Sequence, residues 1–104
     1  MSTAYLAPLA AQRLAIEQAC RLTGLADLPA IRETLGEAAD SVLENAAKFA
    51  RDVLSPLNRI GDRAPSHLDG TRVVTPAGFA EAYHRFWSDG WTLISAPSEH
   101  GGQG

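Results

Sequence analysis

Apolar and polar positions separate most cleanly between Leu35 and Leu54. With Val42 at the origin and about 100° per residue, Val42, Leu43, Ala46, Ala47, Phe49, Ala50, Val53 and Leu54 share one arc of roughly 160°. Glu44, Asn45, Lys48, Arg51 and Asp52 fill the opposite side. This period predicts a helix over about 35–54. Thr34 with Glu37, or Ser41 with Glu44, supplies a capping-box start. Pro56 is expected to end the helix, because it lacks an N–H and its ring clashes with the preceding turn.

A second clear helix is expected in "TPAGFAEAYHRFWSDG", with Thr75 as N-cap and Pro76 at the first helical position, where its missing N–H costs nothing. Phe79, Ala80, Ala82, Tyr83, Phe86 and Trp87 again share roughly 160° of the wheel, and Glu81, His84, Arg85 and Ser88 face away. Gly90 suits a left-handed cap, after which Trp91 can fold back on the last turn. A less regular helix is expected over Leu9–Leu22, with Arg13, Glu17 and Arg21 as a charged stripe. There Ile16 and Cys20 lie on one side and Leu14 and Leu22 on another, and Thr23-Gly24 ends the segment.

The stretch "SPLNRIGDRAPSHLDGTRVV" reads as a long ordered loop, rich in turn formers, with Val73 and Val74 as a very short strand. The expected fold class is therefore all-α, a small helical domain of about three main helices with a long ordered loop. Both clean arcs exceed the ≳100° stripe of an ordinary surface helix. Part of that apolar surface is expected to meet a partner: another domain, another subunit, or residues missing from this chain.

Composition narrows the partners. The 104 residues suffice for one small domain, and 45% of them are apolar, so a core is affordable but thin. A net charge of −3 with scattered basic residues argues against nucleic acid as partner. No apolar run reaches the ~20 residues of a membrane span, and the N-terminus lacks the pattern of a secretion signal. The single cysteine, Cys20, excludes an internal disulfide and fits a reducing compartment. The expected location is cytoplasmic.

Candidate chemistry is sparse. "GGQ" at Gly101–Gln103 matches the tripeptide with which release factors hydrolyse an ester, but on an acidic chain without the basic surroundings that use requires. "GGQG" also lacks the spacing of a phosphate-binding loop. His67, read in the loop, His84, on a polar helix face, and His100 have no metal-ligand spacing. Cys20 reads as a small buried hydrophobe rather than a nucleophile. Asp62 and Asp69 read as turn caps. Glu99 is the most base-like of the loop acids, with nothing nearby to tune it. Trp87 and Trp91 read as core rather than as a platform for a cofactor. No catalytic, cofactor-binding or metal residue is assigned.

Five segments, in order and spacing, carry a resemblance: "YLAP" at Tyr5–Pro8, "AAKFARDVLSPLNRIGD" at Ala46–Asp62, "VVTPAGFAEAY" at Val73–Tyr83, "GW" at Gly90–Trp91 and "PSEHGGQG" at Pro97–Gly104. Together they resemble the N-terminal helical domain of the acyl-CoA dehydrogenase family, over almost all of residues 1–104, and within it the bacterial branch acting on 3-methylmercaptopropionyl-CoA and related longer chains. The chain departs from that branch at Arg63–Ser66, where a glycine and an acid-rich stretch are usual, and in the first helix near Ala11 and Leu14.

The resemblance implies a flavoprotein. In such enzymes a glutamate takes the α-proton of an acyl-CoA thioester and a hydride passes from the β-carbon to flavin adenine dinucleotide (FAD). The flavin contacts and the glutamate lie mostly in a β-domain and a C-terminal helical bundle. The N-terminal helices wall the acyl pocket and pack on those domains. No residue here matches a catalytic position, so the expectation is an N-terminal fragment, inactive alone and not itself holding FAD. "SEHGGQG" would mark the joint with the missing domains, which, with a homo-oligomer partner and the acyl-CoA, are the expected partners. The competing expectations are a stand-alone helical interaction domain without enzymatic activity and, more distantly, a hydrolase using Gln103.

Overall fold

A computed structural model of the chain describes residues 4–104, apart from the side chain of Glu37. It is predominantly helical, as the apolar periodicity predicts, and divides into two compact units, Met1–Ser55 and Pro56–Gly104.

In the first unit α1 spans Leu9–Leu22, the bounds expected. The Thr23 hydroxyl donates to the Ala19 carbonyl at 2.6 Å, and Gly24 turns the chain at φ +73°. A 3-10 turn, Leu25–Asp27, leads to a short helix that the hydrophobic period did not reveal, α2 at Pro29–Thr34. With six residues it is too short to show an amphipathic period, although Pro29 at its first turn is a start signal.

α3 runs from Glu37 to Phe49, two residues short of the predicted start. Leu35 is extended, and Gly36 takes φ +93°, ψ −132° as N-cap, a conformation reserved for glycine. Neither expected capping box forms the cap. The Thr34 hydroxyl donates back to the Ala30 carbonyl within α2, the Glu37 side chain lies outside the described residues, and Ser41 sits inside the helix, where its carbonyl accepts from the Asn45 amide. α1 and α2 both pack against α3, with Phe49 buried to 8% exposure.

Pro56 does not stop the chain's helical course. α3 passes into a π-helical segment, Ala50–Leu54, and α4 spans Ser55–Arg63 with Pro56 as its second residue. Proline in a regular helix clashes with the carbonyl four residues back. A π turn moves hydrogen bonding one residue further along, which gives the ring room and removes the need for its N–H.

In the second unit most of the expected loop is therefore regular structure. After α4 comes an antiparallel hairpin, β1 at His67–Asp69 and β2 at Arg72–Val74. The Val73–Val74 strand was expected; its partner was not. Gly70 at φ +62° occupies the first position of the two-residue connection, where a hairpin turn needs left-handed backbone.

α5 spans Phe79–Ser88, three residues beyond the predicted start. Gly78, at φ +86°, is its N-cap. Thr75 and Pro76 stand ahead of it in a turn closed by the Phe79 amide on the Pro76 carbonyl at 3.2 Å. The C-terminal end follows expectation: the Gly90 amide donates to the Trp87 carbonyl at 3.1 Å, with Gly90 left-handed at φ +83°.

Glycine decides how α4 and α5 meet. A Cβ at Gly61 would stand 2.8 Å from the Phe79 ring, and one at Gly78 would stand 2.8 Å from Leu57 Cδ2. Leu57 and Gly61, four apart on α4, thus present one face to the start of α5. Pro76 is buried beside this turn in sequence, and Ala82 is buried at 7% exposure.

Candidate functional site

The residues with chemical potential are not gathered. Among the described residues, no group of three or more His, Cys, Asp and Glu side chains could hold a metal ion. His67 lies in strand β1 rather than in a loop and is exposed. His84 is exposed on α5, its ring edge-on to Tyr83 at 6.2 Å between centroids. His100 pairs loosely with Glu99 at 3.9 Å, both open to solvent, which is not the water-excluding setting in which a carboxylate base is tuned. Asp62 is an exposed residue of α4 rather than a turn cap. Asp69 sits at the hairpin's end, in register with Arg72. Cys20 is a free thiol, half-buried rather than fully enclosed.

The closing segment is a structured loop. The amides of Gly102, Gln103 and Gly104 donate to the carbonyls of Pro97, Leu93 and Ala96 at 3.0, 3.0 and 2.9 Å. A Cβ at Gly102 would run into the Ala96 carbonyl. The glycine that the GGQ reading assigns to close approach by a substrate is used for close approach by the chain itself. Three amides that could cradle a phosphate are already engaged.

The best-defined polar constellation is one that the period did not single out. Arg13 on α1 reaches α3, where its Nε donates to Asp40 Oδ1 at 2.6 Å and its Nη2 to Glu44 Oε1 at 2.9 Å. The hydrogen bond to Asp40 is the largest influence raising the Arg13 pKa above its already high ordinary value. Asp40 and Glu44, four apart on one helix face, were the available signal. This clamp joins two helices, and both of its carboxylates are engaged by the one guanidinium.

Apolar exposure is the feature that remains. On α5 the wide arc divides in two. Ala82 is buried and Phe79 and Phe86 are about a third exposed, while Tyr83 and Trp87, one turn apart, are 66% and 64% exposed. Contrary to the expectation, Trp87 is not core: the α4 contact lies at Phe79, at the other side of the arc. Trp91 is half-buried in the 3-10 turn Trp91–Leu93. On the hairpin, Leu68 and Val73 are directly opposite each other, share a face, and are 73% and 67% exposed.

Among the described residues, no helix is long and apolar enough to cross a membrane. No protein-family model matches the chain. Over 100 residues, 96% of its length, it is 35% identical to the 3-methylmercaptopropionyl-CoA dehydrogenase of Ruegeria pomeroyi. The matched stretch is 17% of that protein, so the chain spans about a sixth of the curated relative it matches. The chain thus resembles a segment of an acyl-CoA dehydrogenase.

Proposed function

We propose that this chain is the N-terminal helical domain of a flavin-dependent acyl-CoA dehydrogenase, which introduces an α,β double bond into an acyl-CoA thioester. The observation that carries this reading is the 35% identity over 96% of the chain. The divided arc of α5 supports it, because the open half is what a domain shows when it is covered by more protein. In this reading the helices wall one side of the acyl pocket and pack against the other domains.

In this reading the chain does not itself hold FAD. The amides of its glycine-rich segment are satisfied by its own carbonyls, and no other phosphate cradle stands out in the sequence. We place the flavin and the proton-abstracting carboxylate elsewhere in the enzyme, and the 104-residue chain alone is then inactive.

Replacing the matched segment of the Ruegeria pomeroyi enzyme with this chain tests the reading. The expected result is a protein that retains flavin and reduces an electron acceptor with 3-methylmercaptopropionyl-CoA, while the chain alone does neither. A colourless, inactive chimera, together with an isolated chain that is monomeric, binds little hydrophobic dye and melts sharply, would favour the self-contained interaction domain.

A further inference from the structure

We infer that the second unit carries the docking face for the rest of the dehydrogenase polypeptide, made by Leu68 and Val73 on the hairpin and Tyr83 and Trp87 on α5. The inference rests on the function proposed above and adds to it which side chains are covered and by what. The partner is the part of a 3-methylmercaptopropionyl-CoA dehydrogenase-like polypeptide that lies beyond the 17% matched here.

Exposed apolar residues singly placed need no explanation, but those that recur together do. In the first unit the exposed apolar residues are spread over several elements, among them Leu6, Leu14, Ile16, Leu22, Leu28 and Val42. In the second unit they are paired by the backbone. Leu68 and Val73 are cross-strand partners, and Tyr83 and Trp87 are one helical turn apart. Their neighbours within the unit have other uses: Phe79 covers Gly61, and Ala82 is already buried.

Two further points favour a protein surface as occupant. Tyr and Trp combine large apolar area with few rotatable bonds and dominate the energetics of protein interfaces. A hairpin with three-residue strands gains independent stability only when a further layer packs on it.

The test mixes the 104-residue chain with the Ruegeria pomeroyi enzyme polypeptide lacking its matched segment, and reads complex formation by size-exclusion chromatography and titration. The unsubstituted chain is expected to form a one-to-one complex. Leu68→Thr with Val73→Thr, which keeps strand-forming residues, and Tyr83→Gln with Trp87→Gln, which keeps helix formers, are each expected to weaken it by about tenfold or more. Leu14→Gln with Leu22→Gln is expected to leave it unchanged. Hydrogen exchange, read on the same samples, should show new protection at β1, β2 and α5.

A complex that forms but ignores the second-unit substitutions, or that is lost through the α1 substitutions instead, overturns the docking face while leaving the proposed function intact. No complex with the unsubstituted chain, together with an inactive chimera, overturns the proposed function and the face with it.

Discussion

The first unit joins its helices with side chains, and the second joins them by leaving side chains out. In Met1–Ser55, a guanidinium shared by two carboxylates joins α1 to α3, and Phe49 at the end of α3 is buried. In Pro56–Gly104, α4 meets α5 at Gly61 and Gly78, where an added Cβ would stand 2.8 Å from the Phe79 ring or from Leu57 Cδ2 and one of the side chains would have to shift. The difference bears on how a helical wheel is read. A wide apolar arc states how much of a helix could be buried, but the neighbouring element decides which part is. On α5 that neighbour takes Phe79 and leaves Tyr83 and Trp87 exposed.

The strongest way to break the comparison is at Phe49. Phe49→Asp places a charge at a site only 8% exposed and should destabilise the first unit by about 4 kcal/mol. Chemical denaturation with hydrogen exchange across α1 and α3 reads the effect. Unchanged protection there would mean that the first unit is not held by its apolar contact.

Gly61→Val is the matching test in the second unit. The added carbons fall on the Phe79 ring, and overpacking of this kind costs about 1–3 kcal/mol. Phe79→Ala should remove the clash, so that the double variant is less destabilised than the two single effects predict. A double-mutant cycle with no coupling would break the account of the α4–α5 contact.

These sites also show what the sequence made legible. α1 could be bounded from periodicity and from Thr23-Gly24, because a local signal sets each end. The body of α3 and its inward phenylalanine were legible for the same reason. The starts of α3 and α5 were misplaced because Gly36 and Gly78 outcompete Thr34 and Thr75 as caps. A left-handed glycine resets the chain direction without needing a side-chain hydrogen bond. α4 was hidden because a proline rule written for regular helices does not anticipate a π turn ahead of the proline. On the functional side, the glycines of "GGQG" were legible as a close-approach device, but what they approach, the carbonyl of Ala96, is a tertiary fact. The pairing of Arg13 with Asp40 and Glu44 is tertiary too, joining residues 27 and 31 apart.

Gly70→Ala has a smaller expected effect, confined to the hairpin. An alanine held at φ +62° costs about 1–2 kcal/mol. The expected signs are faster exchange of the β1 and β2 amides and an unaltered α5. If the docking face is assigned correctly, the same substitution weakens the complex with the rest of the enzyme without touching Leu68 or Val73. Retained hairpin protection would show that the turn does not depend on left-handed backbone.

The smallest expected effect is at the clamp of the first unit. Arg13, Asp40 and Glu44 are all substantially open to water, where ion pairs are weak and screened by salt. Arg13→Ala should lower the melting temperature of the first unit only slightly, and the difference should shrink as salt is raised. Because its partners raise the Arg13 pKa, its share of stability is complete below the ordinary arginine pKa and is lost only as pH climbs through the still higher folded value. Between pH 6 and pH 9 the difference between Arg13→Ala and the unsubstituted chain should therefore stay flat. Arg13→Lys should recover only part of the loss, since an ammonium cannot present two separate N–H groups in the fixed fork that spans Asp40 and Glu44. A salt-independent loss as large as that of Phe49→Asp would reverse the ranking of contact and clamp, and the first unit would then be held by charge.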